Sequence, residues 1–149
     1  MEIVIGEIAK TMRQLRVLLV DDDAFIHEMM ALLLSKTEFS LLSAINAEDA
    51  MKIITSDPPD IVVTDAIMPG ESGFCLIEKM KASPRSARIP VILWTILEQP
   101  DGSVMDASGK ADLLINKPFY RCDILKNLEI AKEMIAAASF AGDITFSLN

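Results

Sequence analysis

The chain has 149 residues, a length that suits one domain built around a single hydrophobic core. Because 51% of its residues are hydrophobic and 24% are charged, its composition is that of a globular protein rather than a disordered one. The formal net charge of −8 argues against a general nucleic-acid-binding surface, which would need clustered basic residues.

Short apolar runs alternate with segments of helical periodicity along the chain. The first run, 16–20, precedes a predicted helix at 24–36 whose inward stripe we expect to be Phe25, Met29, Leu32 and Leu33. The further predicted elements, in chain order, are a strand at 41–45, a helix at 47–56 after Asn46, a strand at 60–64, a helix at 73–82 capped by Ser72, a strand at 91–95, a weakly marked helix at 97–111, a strand at 112–116, and a helix at 122–138 with Asp123 as its cap.

The ends of the chain are expected to lie outside this alternation. We predict an N-terminal extension with a peripheral helix at 1–14, one domain at 15–138 and a short tail at 139–149. No apolar run approaches the ~20 residues that span a bilayer, and the N-terminus does not resemble a signal peptide. We therefore expect a cytoplasmic protein whose two cysteines, Cys75 and Cys122, are reduced, with Cys75 packed in the core.

The predicted strands are nearly continuous in apolar residues, which is typical of strands buried on both faces of a parallel sheet. Their alternation with helices predicts an α/β fold, a doubly wound five-stranded parallel sheet with helices on both faces. In such sheets, ligands bind at the carboxyl ends of the strands.

Polar side chains follow four of the predicted strands and would meet at that edge. Three carboxylates follow the first strand, one follows the third, a hydroxyl ends the fourth and an ammonium follows the fifth. These residues are Asp21, Asp22 and Asp23, then Asp65, Thr95 and Lys117.

Carboxylates that are held close together repel one another, and a hard divalent cation relieves that repulsion. Mg²⁺ prefers oxygen ligands, among them carboxylates and phosphate oxygens. A lysine and a threonine beside such a site can bind the remaining oxygens of a phosphoryl group. The pattern therefore indicates phosphoryl transfer to a carboxylate, with Asp65 as the nucleophile.

Each of these signals is weak when it stands alone. Three aspartates after a strand are more often a solvated turn or a helix cap, and an aspartate before Pro-Gly is usually a turn residue. The single histidine, His27, lies off the predicted apolar stripe, and we interpret it as a solvated side chain. The functional interpretation depends on several signals falling at the ends of four predicted strands.

The segments that carry these residues resemble those of the response-regulator receiver domain, the phosphoacceptor of two-component signalling. The resemblance covers roughly residues 15–138. It is carried by VLLVDDD with Asp21 and Asp22, by PDIVVTDAIMPGESG with Asp65, Pro69, Gly70 and Gly73, by PVILWT with Thr95, and by INKPF with Lys117 and Pro118.

The resemblance implies a strand order of 2-1-3-4-5 and a Mg²⁺ ion held by Asp21, Asp22, Asp65 and the backbone carbonyl of Ile67. It implies that a histidine kinase or a histidine phosphotransfer protein donates a phosphoryl group to Asp65. Thr95 and Lys117 would bind that group, and the Lys117–Pro118 peptide bond would be cis.

The resemblance also bears on what the chain contacts. As a phosphoprotein of a two-component phosphorelay, it would catalyse only its own phosphorylation and dephosphorylation. It would signal to a downstream protein through the predicted fourth helix, the fifth strand and the last helix. We expect no direct nucleic-acid binding and no membrane insertion, and a homodimer is compatible with the family. No output domain is expected within these residues, so the chain is either a diffusible relay or the receiver part of a longer protein.

Two alternatives remain open from the sequence. A degenerate receiver could act as a constitutive binding module, although intact Asp65, Thr95 and Lys117 argue against it. Aspartate-dependent phosphohydrolases also use an aspartate that follows a strand. That family, however, has a second aspartate two residues later, where this chain has Ile67. The resemblance implies that Ile67 and Leu97 flank the approach of a hydrolytic water, and because both are aliphatic we expect slow dephosphorylation.

Overall fold

The computed structural model describes residues 14–95, 111–116 and 121–147, with side chains for all of these except Thr95, Asn116 and 140–147. The strands are β1 (Leu15–Val20), β2 (Phe39–Ala44), β3 (Ile61–Asp65), β4 (Val91–Thr95) and β5 (Leu113–Asn116). The helices are α1 (Ala24–Leu34), α2 (Ala47–Ser56), α3 (Gly73–Ala82) and α4 (Arg121–Ser147).

The five strands form one parallel sheet in the order β2-β1-β3-β4-β5, which confirms the predicted order. The central strands β1, β3 and β4 consist mainly of aliphatic residues that are fully buried. Such strands cannot present one face to water, so the sheet is covered on both sides.

Two hydrophobic clusters lie on opposite faces of the sheet. Alternate residues of each strand enter opposite clusters, as the period of two along a strand requires. Helices α2 and α3 pack on one face through Ala50, Ile54, Ile77 and Met80. Helices α1 and α4 pack on the other face, where Trp94 is fully buried.

The starts of three helices follow the sequence-based prediction. Asp23, Asn46 and Ser72 each accept a backbone hydrogen bond at the start of α1, α2 and α3. Each cap satisfies one amide at a helix end that has no partner within the helix. The predicted bounds of α2 and α3 are therefore confirmed.

The last helix differs from its prediction at both ends. It begins at Arg121, so Asp123 lies inside its first turn rather than at its cap. It continues to Ser147, beyond the predicted end at residue 138. The alanines at 136–138 favour helix, and the single Gly142 is too weak a breaker to end it. None of the helices in the described part of the chain is long and apolar enough to cross a membrane.

Helix α4 is tied to the edge of the sheet by an ion pair. The Lys132 ammonium donates to both carboxylate oxygens of Glu38, just before β2, at 2.8 and 2.9 Å. This hydrogen bond lowers the pKa of Glu38. The neighbouring Glu38 carboxylate, in turn, raises the pKa of Glu129.

The predicted inward stripe of α1 was wrong at Phe25 and Leu32, although its member Leu33 does pack against the core. Met30 and Leu34 are buried, with Ile26 packed beside them, whereas Phe25 is 66% exposed and Leu32 is 77% exposed. Both sets recur at helical spacing, so periodicity alone could not choose between them. Packing against the core shows which stripe faces the sheet.

Cys75 was also predicted wrongly, because it lies on the outer side of α3. Both Cys75 and Cys122 are exposed free thiols. The neighbours Leu76 and Ile77 occupy the buried side of the helix instead. The predictions for the N-terminal helix, for 97–111 and for Lys117–Pro118 fall outside the residues that the structure describes.

Candidate functional site

The pairing of β1 with β3 brings two of the predicted carboxylates together. Val20 pairs with Thr64, so Asp21 and Asp65 stand next to each other at the carboxyl edge of the sheet. Both continue the strand positions that face α1 and α4, since Leu19 and Val63 lie two residues before them in that cluster. Asp65 is the last residue of β3 and pairs with Trp94 of β4.

Asp22 completes a group of three carboxylates. One oxygen from each of Asp21, Asp22 and Asp65 lies within 4.8 Å of the other two. Asp21 is only 1% exposed, Asp65 is partly buried and Asp22 is exposed. The group therefore extends from the core to the solvent and forms an acidic rim that a partner can reach.

The loop after Asp65 is shaped around this carboxylate. The Ile67 amide donates to Asp65 Oδ1 at 3.2 Å, and the Gly73 amide donates to the Ala66 carbonyl at 3.0 Å. Gly70 has a φ of 83°, a left-handed conformation that favours glycine. These residues explain the Pro-Gly pair after the aspartate: the chain must turn sharply there.

Gly73 is required for a different reason. A Cβ atom at this position would stand 2.9 Å from the Asp65 carbonyl carbon and still closer to its oxygen. Ser72 caps α3 immediately before it through a hydrogen bond to the Cys75 amide at 3.2 Å. The start of α3 therefore packs directly on the backbone of Asp65.

The loop between β1 and α1 is held by several hydrogen bonds. The Asp23 amide donates to Asp21 Oδ1 at 2.9 Å, and the Phe25 amide donates to Asp23 Oδ1 at 2.9 Å. His27 reaches back from α1, with its Nε2 at 2.7 Å from the Asp21 carbonyl oxygen.

The prediction that His27 is a solvated side chain was therefore wrong. Helical side chains lean toward the N-terminus, so a residue in the first turns of α1 covers the loop before the helix. That rule, applied to the helix start at Asp23, could have found the contact. Phe25, by contrast, is exposed to solvent.

The remaining predicted site residues are placed only in part. The backbone of Thr95 ends β4 and pairs with Asn116 of β5, so it lies on the strand next to Asp65. Lys117 follows β5 but lies outside the described residues. Ile67 is 56% exposed beside Asp65. Metal coordination by its carbonyl stays a prediction.

The donor set fits a hard divalent cation. Three carboxylates supply oxygen atoms, the ligand type that Mg²⁺ prefers, and the group includes no sulfur or imidazole ligand. A bound cation would also offset the mutual repulsion of these clustered aspartates. Asp21, Asp22 and Asp65 are therefore the residues that would hold Mg²⁺.

A cavity of about 880 Å³ lies to one side of this rim, between α2 and α3. Its lining includes Lys52, Pro69, Gly70, Glu71 and Lys79, but none of the three aspartates. An ion pair at 2.6 Å joins Glu71 to Lys79 across part of it. The cavity is therefore separate from the three aspartates, although Pro69 and Gly70 of the loop after Asp65 form part of its wall.

A family model described as the response regulator receiver domain matches residues 17–129. A phosphate regulon transcriptional regulatory protein, PhoB, from Pseudomonas aeruginosa is 32% identical over 113 residues, which are 76% of this chain and 49% of that protein. A gliding motility regulatory protein from Myxococcus xanthus is 32% identical over 109 residues, 73% of this chain and 14% of that protein.

Solved structures give the same result. The signal receiver domain of a histidine kinase from Syntrophus aciditrophicus has a TM-score of 0.73 and 27% identity, covering 83% of this chain and 91% of that one. The receiver domain of an HD domain-containing protein from Pseudomonas fluorescens has a TM-score of 0.76 and 25% identity, covering 85% and 93%. From the family match, the relatives and the fold, the chain belongs to the response-regulator receiver domain family.

Proposed function

We propose that the chain accepts a phosphoryl group on Asp65 from a histidine kinase or a histidine phosphotransfer protein. The observation that carries this proposal is the group of three carboxylates within 4.8 Å at the carboxyl edge of the sheet, in a member of the receiver family. Asp65 is the candidate nucleophile because it is partly buried at a strand end and its loop bends around it.

Different residues of the chain would orient Asp65, hold Mg²⁺ and bind the phosphoryl group. The Ile67 amide holds one oxygen of Asp65, which orients the carboxylate. Asp21, Asp22 and Asp65 would hold Mg²⁺, which when bound supplies positive charge to offset that of a phosphoryl group. Thr95 and Lys117 are proposed, on sequence grounds, to bind the phosphoryl oxygens.

The surroundings of the rim support a protein as the phosphoryl donor. Phe25, Ile45 and Ile67 are 66%, 60% and 56% exposed, and each lies on a segment that follows one of the strands at this edge. Exposed apolar side chains near an acidic rim suit contact with a protein surface better than contact with a small polar metabolite. The proposed location is the cytoplasm, where such donors act.

The proposed consequence of phosphorylation is a change in a protein–protein surface. Trp94 pairs with Asp65 across the sheet and is fully buried among residues that contact α4. A change at Asp65 would therefore act directly on Trp94, which packs in the same cluster as α4. The signalling surface proposed from the sequence includes β5 and α4.

A phosphorylation assay tests this function. The protein is incubated with Mg²⁺ and acetyl phosphate, and its intact mass is measured. We expect the mass gain of one phosphoryl group, which disappears in Asp65→Asn and when EDTA replaces Mg²⁺. A parent that gains no mass, or an Asp65→Asn variant that gains as much, would contradict the proposal and favour the constitutive binding module.

A further inference from the structure

We propose that His27 is a positioning residue for the acidic rim, acting through the peptide group that joins Asp21 to Asp22. The inference deepens the proposed function, since it rests on these two aspartates holding Mg²⁺. Its starting observation is the 2.7 Å contact between His27 Nε2 and the Asp21 carbonyl oxygen.

The direction of this hydrogen bond follows from the chemistry of its partner. A carbonyl oxygen only accepts, so Nε2 carries the proton and donates it. The other ring nitrogen, Nδ1, is enclosed and has no hydrogen-bond partner among the described residues. A buried N–H without a partner is costly, which favours the Nε2–H tautomer as well. The polar contact of the ring is thus directed at one atom.

That atom controls the backbone between two proposed ligands. The peptide group is planar, so fixing the Asp21 carbonyl also fixes the amide and Cα of Asp22. On the other side, the Asp21 amide donates to the Ala44 carbonyl of β2 at 3.1 Å. The Asp21 carboxylate is held by the Asp23 amide at 2.9 Å. Because Asp22 is exposed, the position of its carboxylate near Asp65 depends on the conformation of this backbone rather than on packing of the side chain.

The position of His27 fits this role. It lies one helical turn after Asp23, whose carbonyl accepts the His27 amide at 3.4 Å. His27 thereby contacts the loop between β1 and α1 at two points, the Asp23 carbonyl through its backbone and the Asp21 carbonyl through its side chain. Its loss would leave the strand and helix in place but would free the peptide that carries both aspartates to rotate.

Two substitutions separate the hydrogen bond from the packing of the ring. His27→Phe keeps a ring of similar shape but cannot donate, whereas His27→Gln loses the ring and keeps an N–H donor of similar reach. Mg²⁺ affinity is measured from the fluorescence of Trp94, with urea unfolding in EDTA as the measure of fold stability. The parent and both variants are studied without any phosphoryl donor.

We expect the Mg²⁺ dissociation constant of His27→Phe to rise about fivefold, because the variant loses one hydrogen bond that positions the two aspartates. His27→Gln should stay within about twofold of the parent, because its donor replaces Nε2–H. Equal affinity in the parent and His27→Phe, or equal weakening in both variants, would overturn the proposal. A parent that does not bind Mg²⁺ would overturn the metal site itself, and this inference with it.

A measurement on the unmodified protein does not depend on how the variants fold. His27 is the only histidine of the chain, so ¹⁵N-labelled histidine gives a single ring to assign by NMR. In alkaline, metal-free buffer we expect the Nε2–H tautomer, with a ring proton protected from exchange. An Nδ1–H tautomer, or a ring proton in fast exchange with water, would overturn the proposal.

Discussion

Replacing Asp22 by Asn should have opposite effects on stability without and with Mg²⁺. Asn keeps the size of the side chain and removes its charge. Asp22 is exposed, so little packing changes, but one of its oxygens lies within 4.8 Å of those of Asp21 and Asp65. The substitution therefore removes two repulsive contacts and one proposed metal ligand.

The size of the first effect follows from the distance. Two unit charges separated by 4 to 5 Å repel by ~1 kcal/mol in a water-like dielectric. Asp22 faces two such charges, but it is exposed and salt screens it further. We expect the free energy of unfolding in EDTA to rise by about 1 kcal/mol.

The second effect has the opposite sign. Mg²⁺ that binds only the folded parent stabilises it by ~2.7 kcal/mol at a hundredfold excess over its dissociation constant. The variant has lost a ligand and should gain little at the same concentration. Its stability should therefore exceed that of the parent in EDTA and fall below it in Mg²⁺.

Urea unfolding followed by Trp94 fluorescence measures both effects, since Trp94 is fully buried in the native state. Glu28→Gln is the matched control, because it removes one exposed negative charge from α1 without touching the acidic group. The control should change little and keep the Mg²⁺ response of the parent. If Asp22→Asn shows no stabilisation in EDTA, or gains as much from Mg²⁺ as the parent, the reasoning is refuted.

Three further predictions address other parts of the site and the fold. Gly73→Ala should cost about 1 to 3 kcal/mol in urea unfolding, because its Cβ would overlap the Asp65 carbonyl; an unchanged midpoint would contradict that contact. Ile67→Asn should shorten the lifetime of the phosphorylated protein, and a tenfold change needs only about 1.4 kcal/mol. Ile45→Asn, which is equally exposed, serves as its control. The hydrogen bond from Lys132 lowers the pKa of Glu38 from 4.5. The parent should therefore be more stable than Glu38→Gln near neutral pH, and this difference should disappear as the pH falls through the lowered, folded-state pKa of Glu38. A difference that persists in acid would exclude this linkage.

The sequence by itself determined the order of elements, the strand-end carboxylates and most of the fold. The bounds of α2, α3 and β4 follow from apolar spacing and from caps such as Asn46 and Ser72. The meeting of Asp21 with Asp65 also follows from sequence, because parallel strands carry their carboxyl ends to one edge. The element bounds are local patterns set by short-range chemistry, whereas the meeting of the two aspartates follows from the general geometry of parallel sheets.

Only the tertiary structure decided which stripe of α1 faces the sheet and what His27 contacts. Both Phe25 with Leu32 and Met30 with Leu34 have helical spacing, so periodicity does not determine the rotation of the helix, which is fixed when α1 packs on the core. That rotation turns Phe25 outward and carries the His27 ring onto the Asp21 carbonyl. A hydrogen bond from a helix to the end of the preceding strand depends on the angle between the two, and that angle is fixed only when both pack on the same core.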